Sequence, residues 1–448
     1  MMIEANETKI GAAVRDADLR VLVMCLFQIT GDRKWLAEPY LPQRDVRLIA
    51  PEDAGFSDEI AEQIWEAAIA EHGTTPVISD PGDELMVEMM SACLGELVTP
   101  EYAPMMREEM GFVSRDIDWP EGAARPSVLV VGAGASGIIM GARLDRMGLD
   151  YDIVERGASV GGVWRDNRYP GAGVDTPNHA YSFSFARPHR WSRFFSPQAD
   201  LETYLQQTAD DCDVTRHVQF ETGLTGAQWD DDAQEWRVEL ETLNGSESRS
   251  YQVLISAIGQ LNVPKPPPVP GTDRFEGPCF HSSHWPDGLD LTGKRVAVIG
   301  TGASSMQIVP AIADQVAELT VYQRTAQWAR PIPRYHEPIP AGSQWLFEHL
   351  PFYAAWFRFV MLWRYGDGLL PLLRKDPDWE HAHSINRANE RHRQQMADHL
   401  LTELDGRADL VEKCMPSYPP YGKRILLDNG WFATVRKPNV ELGCRPFA

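Results

Sequence analysis

Ser127-Val128-Leu129-Val130-Val131 runs directly into Gly132-Ala133-Gly134-Ala135-Ser136-Gly137, and the reading of this stretch decides the fold. A continuous apolar, β-branched run of this length is the pattern of a parallel strand buried on both faces. The glycines that follow have the spacing a strand-to-helix turn needs. The first permits a tight turn, the second lets the backbone approach a pyrophosphate, and the third lets helix and strand pack closely. The helix N-terminus beyond them offers aligned N–H donors to an anion. A helical pattern from Ile138 to Met147 and a second strand, Tyr151 to Val154, complete a strand–helix–strand unit of about thirty residues. Glu155 ends that second strand, where a carboxylate accepts from ribose hydroxyls. A bare GxGxxG is a weak signal. Both strands, the helix and the terminal acid together make dinucleotide binding by Gly132, Gly134, Gly137 and Glu155 the expectation.

The same grammar recurs downstream. Val253-Leu254-Ile255-Ser256-Ala257-Ile258-Gly259 reads as another buried strand, and the Pro-rich stretch Val263 to Pro270 as a stiff linker. Arg295-Val296-Ala297-Val298-Ile299 then meets Gly300-Thr301-Gly302-Ala303-Ser304-Ser305, in which Ser305 replaces the third glycine. Its second strand, Leu319 to Tyr322, is followed by Gln323-Arg324-Thr325 rather than by an acid. A guanidinium there suits a 2′-phosphate and leaves the diol of NAD without a carboxylate, which favours NADPH. Read alone, Arg324 is also simply a surface arginine after a strand. Two dinucleotide units in one chain imply electron transfer from a nicotinamide to a flavin. Disulfide reductases with two such units need a close cysteine pair. The six cysteines (Cys25, Cys93, Cys212, Cys279, Cys414 and Cys444) have no CxxC spacing, so neither that chemistry nor a metal site is expected, and free thiols are.

The bulk properties agree with an enzyme-sized globular chain. Its 448 residues suffice for two or three domains, with 43% hydrophobic and 24% charged residues. The net charge of −22 argues against a nucleic-acid partner. The start, MMIEANETK, has no apolar stretch behind a basic region, so no secretory signal is expected and a cytoplasmic location is. The most apolar later stretch, Phe352 to Trp363, is shorter than the ~20 residues a membrane span needs. It reads as a buried or pocket-lining helix, and no integral membrane segment is expected.

A third motif lies between the two glycine loops. Phe275-Glu276-Gly277-Pro278-Cys279-Phe280-His281-Ser282-Ser283-His284-Trp285-Pro286 resembles the FxGxxxHxxxWP fingerprint of the Baeyer–Villiger monooxygenases, a family of class B flavin monooxygenases, through Phe275, Gly277, His281 and Trp285. Related N- and S-oxygenating flavin enzymes usually carry another aromatic in place of Trp285. The likeness continues through Gly161-Gly162-Val163-Trp164 and Asn167-Arg168-Tyr169-Pro170-Gly171, which is similar to the family's flavin-proximal segment and leads to Asp175 and Tyr181. Tyr421-Gly422-Lys423-Arg424 is similar to the segment carrying the family's active-site arginine. The matching region runs from about Val128 to Leu442. The N-terminal helical segment, including Leu22 to Leu26 and Thr30-Gly31-Asp32, resembles the extension of the 4-hydroxyacetophenone monooxygenase subgroup, a less specific match.

The resemblance implies FAD and NADPH as cofactors, O₂ and a small-molecule ketone as substrates, and an ester or lactone product formed through a C4a-peroxyflavin. It implies FAD contacts from Gly162, Trp164, Asp175 and Tyr181, and NADPH contacts from Gly300, Thr301, Gly302, Ser304, Arg324, Thr325 and Lys423. Arg424 would be the catalytic arginine, a permanently charged donor set suited to a peroxide and an oxyanion, with Asp175 orienting it. On its own Asp175 reads as a loop carboxylate, and His281 as a core histidine near a domain junction. The N-terminal likeness tilts the substrate expectation toward aryl ketones.

The expected fold class is therefore α/β, with two Rossmann-like domains, for FAD and NADPH, a helical N-terminal extension and a helical insertion. The expected boundaries are 1–125 for the extension and 126–263 for the first part of the FAD domain. Residues 264–415 form the NADPH domain with the insertion at about 343–410, and 416–448 a linker returning toward the FAD domain. Family members continue past the equivalent of Val440, so the sequence reads as C-terminally truncated; an inactive flavoprotein fragment and an N- or S-monooxygenase are the competing expectations. An added helical domain also suits a homodimer contact.

Overall fold

The computed structural model describes residues 2–44, 53–186, 188–265 and 269–443, with side chains from Lys9 onward. Part of the expected linker Val263–Pro270, and Cys444, fall outside the described residues. The N-terminal helices are α1 (Met2–Arg15), α2 (Leu19–Thr30), α3 (Asp58–Ala70), α4 (Gly82–Leu94) and α5 (Ala103–Glu109). Residues Leu19 to Ile29 of α2 are buried on every side. Asp18 caps the start of this helix and Gly31, in the left-handed conformation, its end.

The first dinucleotide unit follows. β1 (Val128–Val131) leads to α6 (Ala135–Arg146) and β2 (Tyr151–Val154), then to α7 (Val163–Asp166) and α8 (Gln198–Asp211). β3 (Val218–Gln219) precedes the antiparallel hairpin strands β4 (Gly223–Asp230), β5 (Glu235–Thr242) and β6 (Gly245–Tyr251). β7 (Val253–Ser256) returns to the main sheet, whose order is β3-β2-β1-β7, all parallel. β1 is central, with Val128 opposite both Tyr151 and Val253, which explains its unbroken apolar sequence.

The second unit is smaller. β8 (Arg295–Ile299), α9 (Ala303–Ile312) and β9 (Glu318–Tyr322) repeat the strand–helix–strand pattern. β10 (Ala329–Pro331) enters the insertion, made of α10 (Ala341–His349), α11 (Tyr353–Tyr365), α12 (Leu370–Leu373), α13 (Arg387–Leu404) and α14 (Ala408–Cys414). The chain returns through β11 (Leu426–Asp428), parallel to β10, then α15 (Trp431–Val435) and β12 (Val440–Gly443). β12 pairs with β9 and gives the second sheet the order β12-β9-β8. Within residues 416–448, the expected linker returning toward the first unit, Val440–Gly443 thus adds a strand to the second sheet. The alternation Val440, Leu442 supplies the buried side of this parallel strand.

The insertion does not form its own core. α10 and α11 share one hydrophobic cluster with α1 to α5, in which Trp356 and Phe359 pack among Leu22, Met24 and Leu26. Phe352 to Trp363 is thus a buried helix, and among the described residues no helix is long and apolar enough to cross a membrane. Among the described residues no disulfide joins Cys25, Cys93, Cys212, Cys279 or Cys414.

Candidate active site

The first glycine loop is built for close backbone approach. Gly132 has φ +104°, and a Cβ on Gly137 would lie 1.9 Å from the Gly132 carbonyl oxygen, so neither position accepts a side chain without displacement of backbone. A Cβ on Gly162 would lie 2.9 Å from the Cα of Gly134, which brings the two predicted flavin-binding segments together glycine against glycine. Gly134 caps α6 without a side-chain hydrogen bond, leaving the first-turn N–H groups to an anion. These features fit a bound pyrophosphate.

Glu155 sits where expected, but its carboxylate braces the loop. Only 5% exposed, it accepts from the backbone N–H of Ala133 (2.8 Å) and of Gly157 (2.8 Å) and from Arg165 (3.0 Å). Arg165, which the sequence reading did not single out, is fixed further by Asp166 at 2.8 Å. A Glu–Arg pair between two glycine segments was the signal that could have revealed it.

Trp164 and Tyr181 meet directly: the indole N–H donates to the Tyr181 hydroxyl at 3.0 Å. The loop between Asn178 and Ser182 is held from the insertion. The Arg358 guanidinium, on α11, donates to the carbonyls of His179 and Ser182 and pairs with Glu109 on α5 at 3.1 Å. Arg358 lies within the apolar run Phe352 to Trp363, and no sequence motif marks it. Beneath it His179 is enclosed by Phe194, Phe347 and Phe357, and burial, aided by the Arg358 charge, pushes its imidazole down to about 3.

The second glycine loop repeats the turn, with Gly300 at φ +104° and α9 capped by Gly302 without a side chain. Here a Cβ on either glycine would meet nothing within 4 Å, so the loop faces open space. Thr301 donates to the Thr325 carbonyl at 3.2 Å, tying the loop to the segment that follows β9. The buried Ser305 hydroxyl has no partner among the described residues. Arg324 and Lys423 are exposed, the Lys423 ammonium 4.8 Å from the centre of the Tyr418 ring. This loop with two cations nearby fits a dinucleotide phosphate.

The two units touch where chemistry was expected. Gln307, on α9, accepts from the Tyr169 hydroxyl at 2.9 Å and donates to the Gly173 carbonyl at 2.9 Å and to Asp175 at 3.4 Å. Ser304 shares a hydrogen bond with Tyr169. Arg424 Nη2 lies 3.7 Å from Asp175 Oδ2, the arginine 66% exposed and the carboxylate 14%. Burial raises the Asp175 carboxyl above its usual range, opposed by the charges of Arg424 and Arg330. Gln307 and Arg330 were missed, because a glutamine and an arginine in apolar surroundings carry no motif.

The fingerprint runs along the surface of the second unit. Trp285 packs against its core and meets Phe280 edge-on at 5.2 Å. His281 is exposed, its Nδ1 2.9 Å from the Ser283 hydroxyl, and Phe275 is exposed and curls over Gly277. The structure brings Arg424 and Asp175 together, and Trp164 with Tyr181, while His281 contacts none of them.

Residues 125–336 match the model of the flavin-binding monooxygenase-like family. This chain carries a flavin-binding monooxygenase-like domain. Over 446 residues the chain is 39% identical to an uncharacterized monooxygenase, y4iD, of Sinorhizobium fredii, covering 97% of this chain and 66% of that protein. It is 37% identical over 316 residues to a Baeyer–Villiger monooxygenase of Streptomyces coelicolor, covering 70% of this chain and 58% of the relative. The chain thus spans less than two thirds of either relative. Among solved structures, the monooxygenase-like fold matches the OTEMO complex with FAD and NADP with a TM-score of 0.60 at 29% identity, covering 71% of this chain and 66% of that one. It also matches an oxidized steroid monooxygenase bound to NADP with a TM-score of 0.60 at 30% identity, covering 72% and 66%.

Proposed function

We propose that this protein acts as an FAD- and NADPH-dependent Baeyer–Villiger monooxygenase that converts a ketone, in the first instance an aryl ketone, into an ester or lactone. The observation that carries the reading is the Arg424–Asp175 pair at the junction of the two dinucleotide units. Support also comes from the names of the relatives, which include Baeyer–Villiger and FAD-binding monooxygenases, and from structural neighbours that hold FAD and NADP. The bound cofactors would supply acceptance of hydride from the nicotinamide by the flavin and activation of O₂.

The chain's own groups would do the rest. Gly132, Gly134, Gly137 and Gly162 would admit a pyrophosphate to bare backbone, and Trp164 and Tyr181, joined by their hydrogen bond, would help hold the flavin. Gly300, Thr301, Gly302, Ser304 and Thr325 would cradle the second dinucleotide, with Arg324 and Lys423 on its 2′-phosphate. Arg424 keeps its charge at any working pH and would hold oxyanionic oxygen beside the substrate carbonyl. Asp175 would aim that guanidinium. The fingerprint residues Phe275, Gly277, His281 and Trp285 would serve as the seam between the units, not as proton carriers. On this reading the protein would work in the cytoplasm, and its N-terminal helices would suit a homodimer contact.

The test is the flavin spectrum of the purified 448-residue protein before and after anaerobic NADPH, followed by product analysis with a ketone, an amine and a sulfide. A bound flavin bleached by NADPH, with ester from the ketone, is the expected outcome. A colourless protein that added FAD does not rescue would overturn the reading in favour of an inactive fragment. Oxygenated amine or sulfide alone would make it an N- or S-monooxygenase.

A further inference from the structure

A cavity of about 930 Å³ lies where the N-terminal helices meet the insertion, and no residue of either glycine loop lines it. In a chain of net charge −22 its lining is unusual: among the described residues it holds seven arginines against five carboxylates. Four of these arginines have acidic partners. Arg15 pairs with Glu62 at 2.7 Å, Arg20 with Asp18 at 2.5 Å, Arg44 with Glu96 at 3.0 Å and Arg334 with Glu337 at 2.8 Å. Arg364 places its charge on the buried Asp18 carboxylate. Arg330 and Arg391 are different. Both are half-buried, and neither forms an ion pair among the described residues.

These two arginines sit on elements that pack together. Arg330 is on β10 and Arg391 in the second turn of α13, which lies against β10. The Arg330 guanidinium is 4.9 Å from the centre of the Tyr365 ring, itself part of the cavity wall, which fixes one face of the guanidinium. His392, next to Arg391, is 2.9 Å from the Tyr421 hydroxyl, and the charge of Arg330 reaches Tyr421 as well. Much of the remaining wall is apolar: Phe194, Phe357, Met361, Trp363 and Leu372. A half-buried guanidinium without a counter-ion is costly to keep, and a carboxylate is the group its planar donor fork fits best. A chamber of this size that sets an apolar stretch of wall beside charged groups can hold a small molecule with one apolar and one ionised end.

We propose that this cavity is a binding chamber for an apolar organic acid, whose carboxylate is held by Arg330 and Arg391 and whose body lies against Phe357, Met361 and Trp363. That the acid is the ketone substrate rests on the function proposed above; that it binds does not. Arg330 links the chamber to the Arg424–Asp175 pair, since it lines the chamber and its charge, like that of Arg424, acts on Asp175. A keto acid anchored there would have its specificity set by residues outside both dinucleotide loops.

The experiment measures binding to the whole protein by calorimetry, without turnover, for 4-acetylbenzoate and its neutral counterpart 4-methylacetophenone. The acid should bind ~10-fold or more tightly than the neutral ketone, the order expected for a charge-assisted pair. Arg330→Gln and Arg391→Gln should each erase that preference, leaving the neutral ketone unaffected and the circular dichroism unchanged. Arg330→Lys should retain part of it, which a general loss of packing would not. Equal binding of the two ketones, or an acid preference untouched in both glutamine variants, would overturn the chamber. Failure of the oxygenase reading shows separately, as tight binding of the acid with no acid-dependent NADPH oxidation, and would overturn only the substrate role.

Discussion

Arg424 and Asp175 face each other at 3.7 Å, although 249 positions of sequence, with β8 to β10 and the insertion among them, separate the two. The arginine is the exposed member and the carboxylate the buried one, so Asp175 is the fixed reference and Arg424 the group free to meet a ligand. Gln307 reinforces this by donating to Asp175 from α9 and to the backbone at Gly173.

Replacing Arg424 by Ala should therefore remove oxygenation while sparing flavin binding, since no glycine of the first loop touches it. A loss of about 10²–10³ in kcat is the scale expected for an electrostatic donor of this type. Asp175, losing one of its two opposing cations, should titrate higher still. Steady-state ketone oxygenation alongside flavin content checks this; ester formation at the parental rate would defeat the assigned role.

Gly137→Ala probes the cradle. The new methyl would lie 1.9 Å from the Gly132 carbonyl oxygen, a backbone atom that yields only if strand or helix shifts. A destabilisation of at least ~1–3 kcal/mol should accompany loss of flavin. Thermal melts and the flavin-to-protein absorbance ratio measure both. Gly302→Ala, with open space around it, should cost much less stability.

The two glycine loops were legible because their chemistry is local: strand, turn and helix lie within one short stretch, and spacing alone carries the geometry. The Arg424–Asp175 pair was legible only through resemblance, since nothing in either segment says that they meet. Arg165, Gln307 and Arg358 were not legible as site residues. Each acts through backbone carbonyls or one carboxylate brought near by tertiary packing, which leaves no periodic trace. The pairing of Val440–Gly443 with β9 was not legible for a related reason. A four-residue apolar alternation is compatible with either sheet, and only the free edge of β9 decides between them. The common core of α1–α5 with α10 and α11 joins segments more than two hundred residues apart, which helical periodicity cannot pair.

Cofactor preference tests the reading of Arg324. The side chain is exposed and close in sequence to Thr325, whose carbonyl holds Thr301 of the glycine loop. Arg324→Ala should raise the KM for NADPH ~10-fold or more and leave that for NADH nearly unchanged, as expected for a single charge-assisted contact. Equal loss with both nucleotides would mean that the arginine supports the fold of the loop instead of reading the 2′-phosphate.

His179 should make the protein acid-sensitive. Its ring nitrogen Nδ1 is buried without a hydrogen-bond partner among the described residues, among three phenylalanines and near Arg358. Folding lowers its pKa from the ordinary 6.5 to about 3, so the unfolded chain binds the extra proton first. The neutral imidazole is thus fully compatible with the fold above about pH 6.5, and stability drains away as pH falls from there toward 3. His179→Phe removes the titrating group and extends an aromatic cluster already present, while Arg358 keeps its bond to the backbone carbonyl of residue 179. This variant should lose less thermal stability than the parent between pH 7 and pH 5, and should be no less stable at pH 7. Melting temperatures across that range decide it: parallel curves for the two proteins would mean that the imidazole is not what the acid attacks.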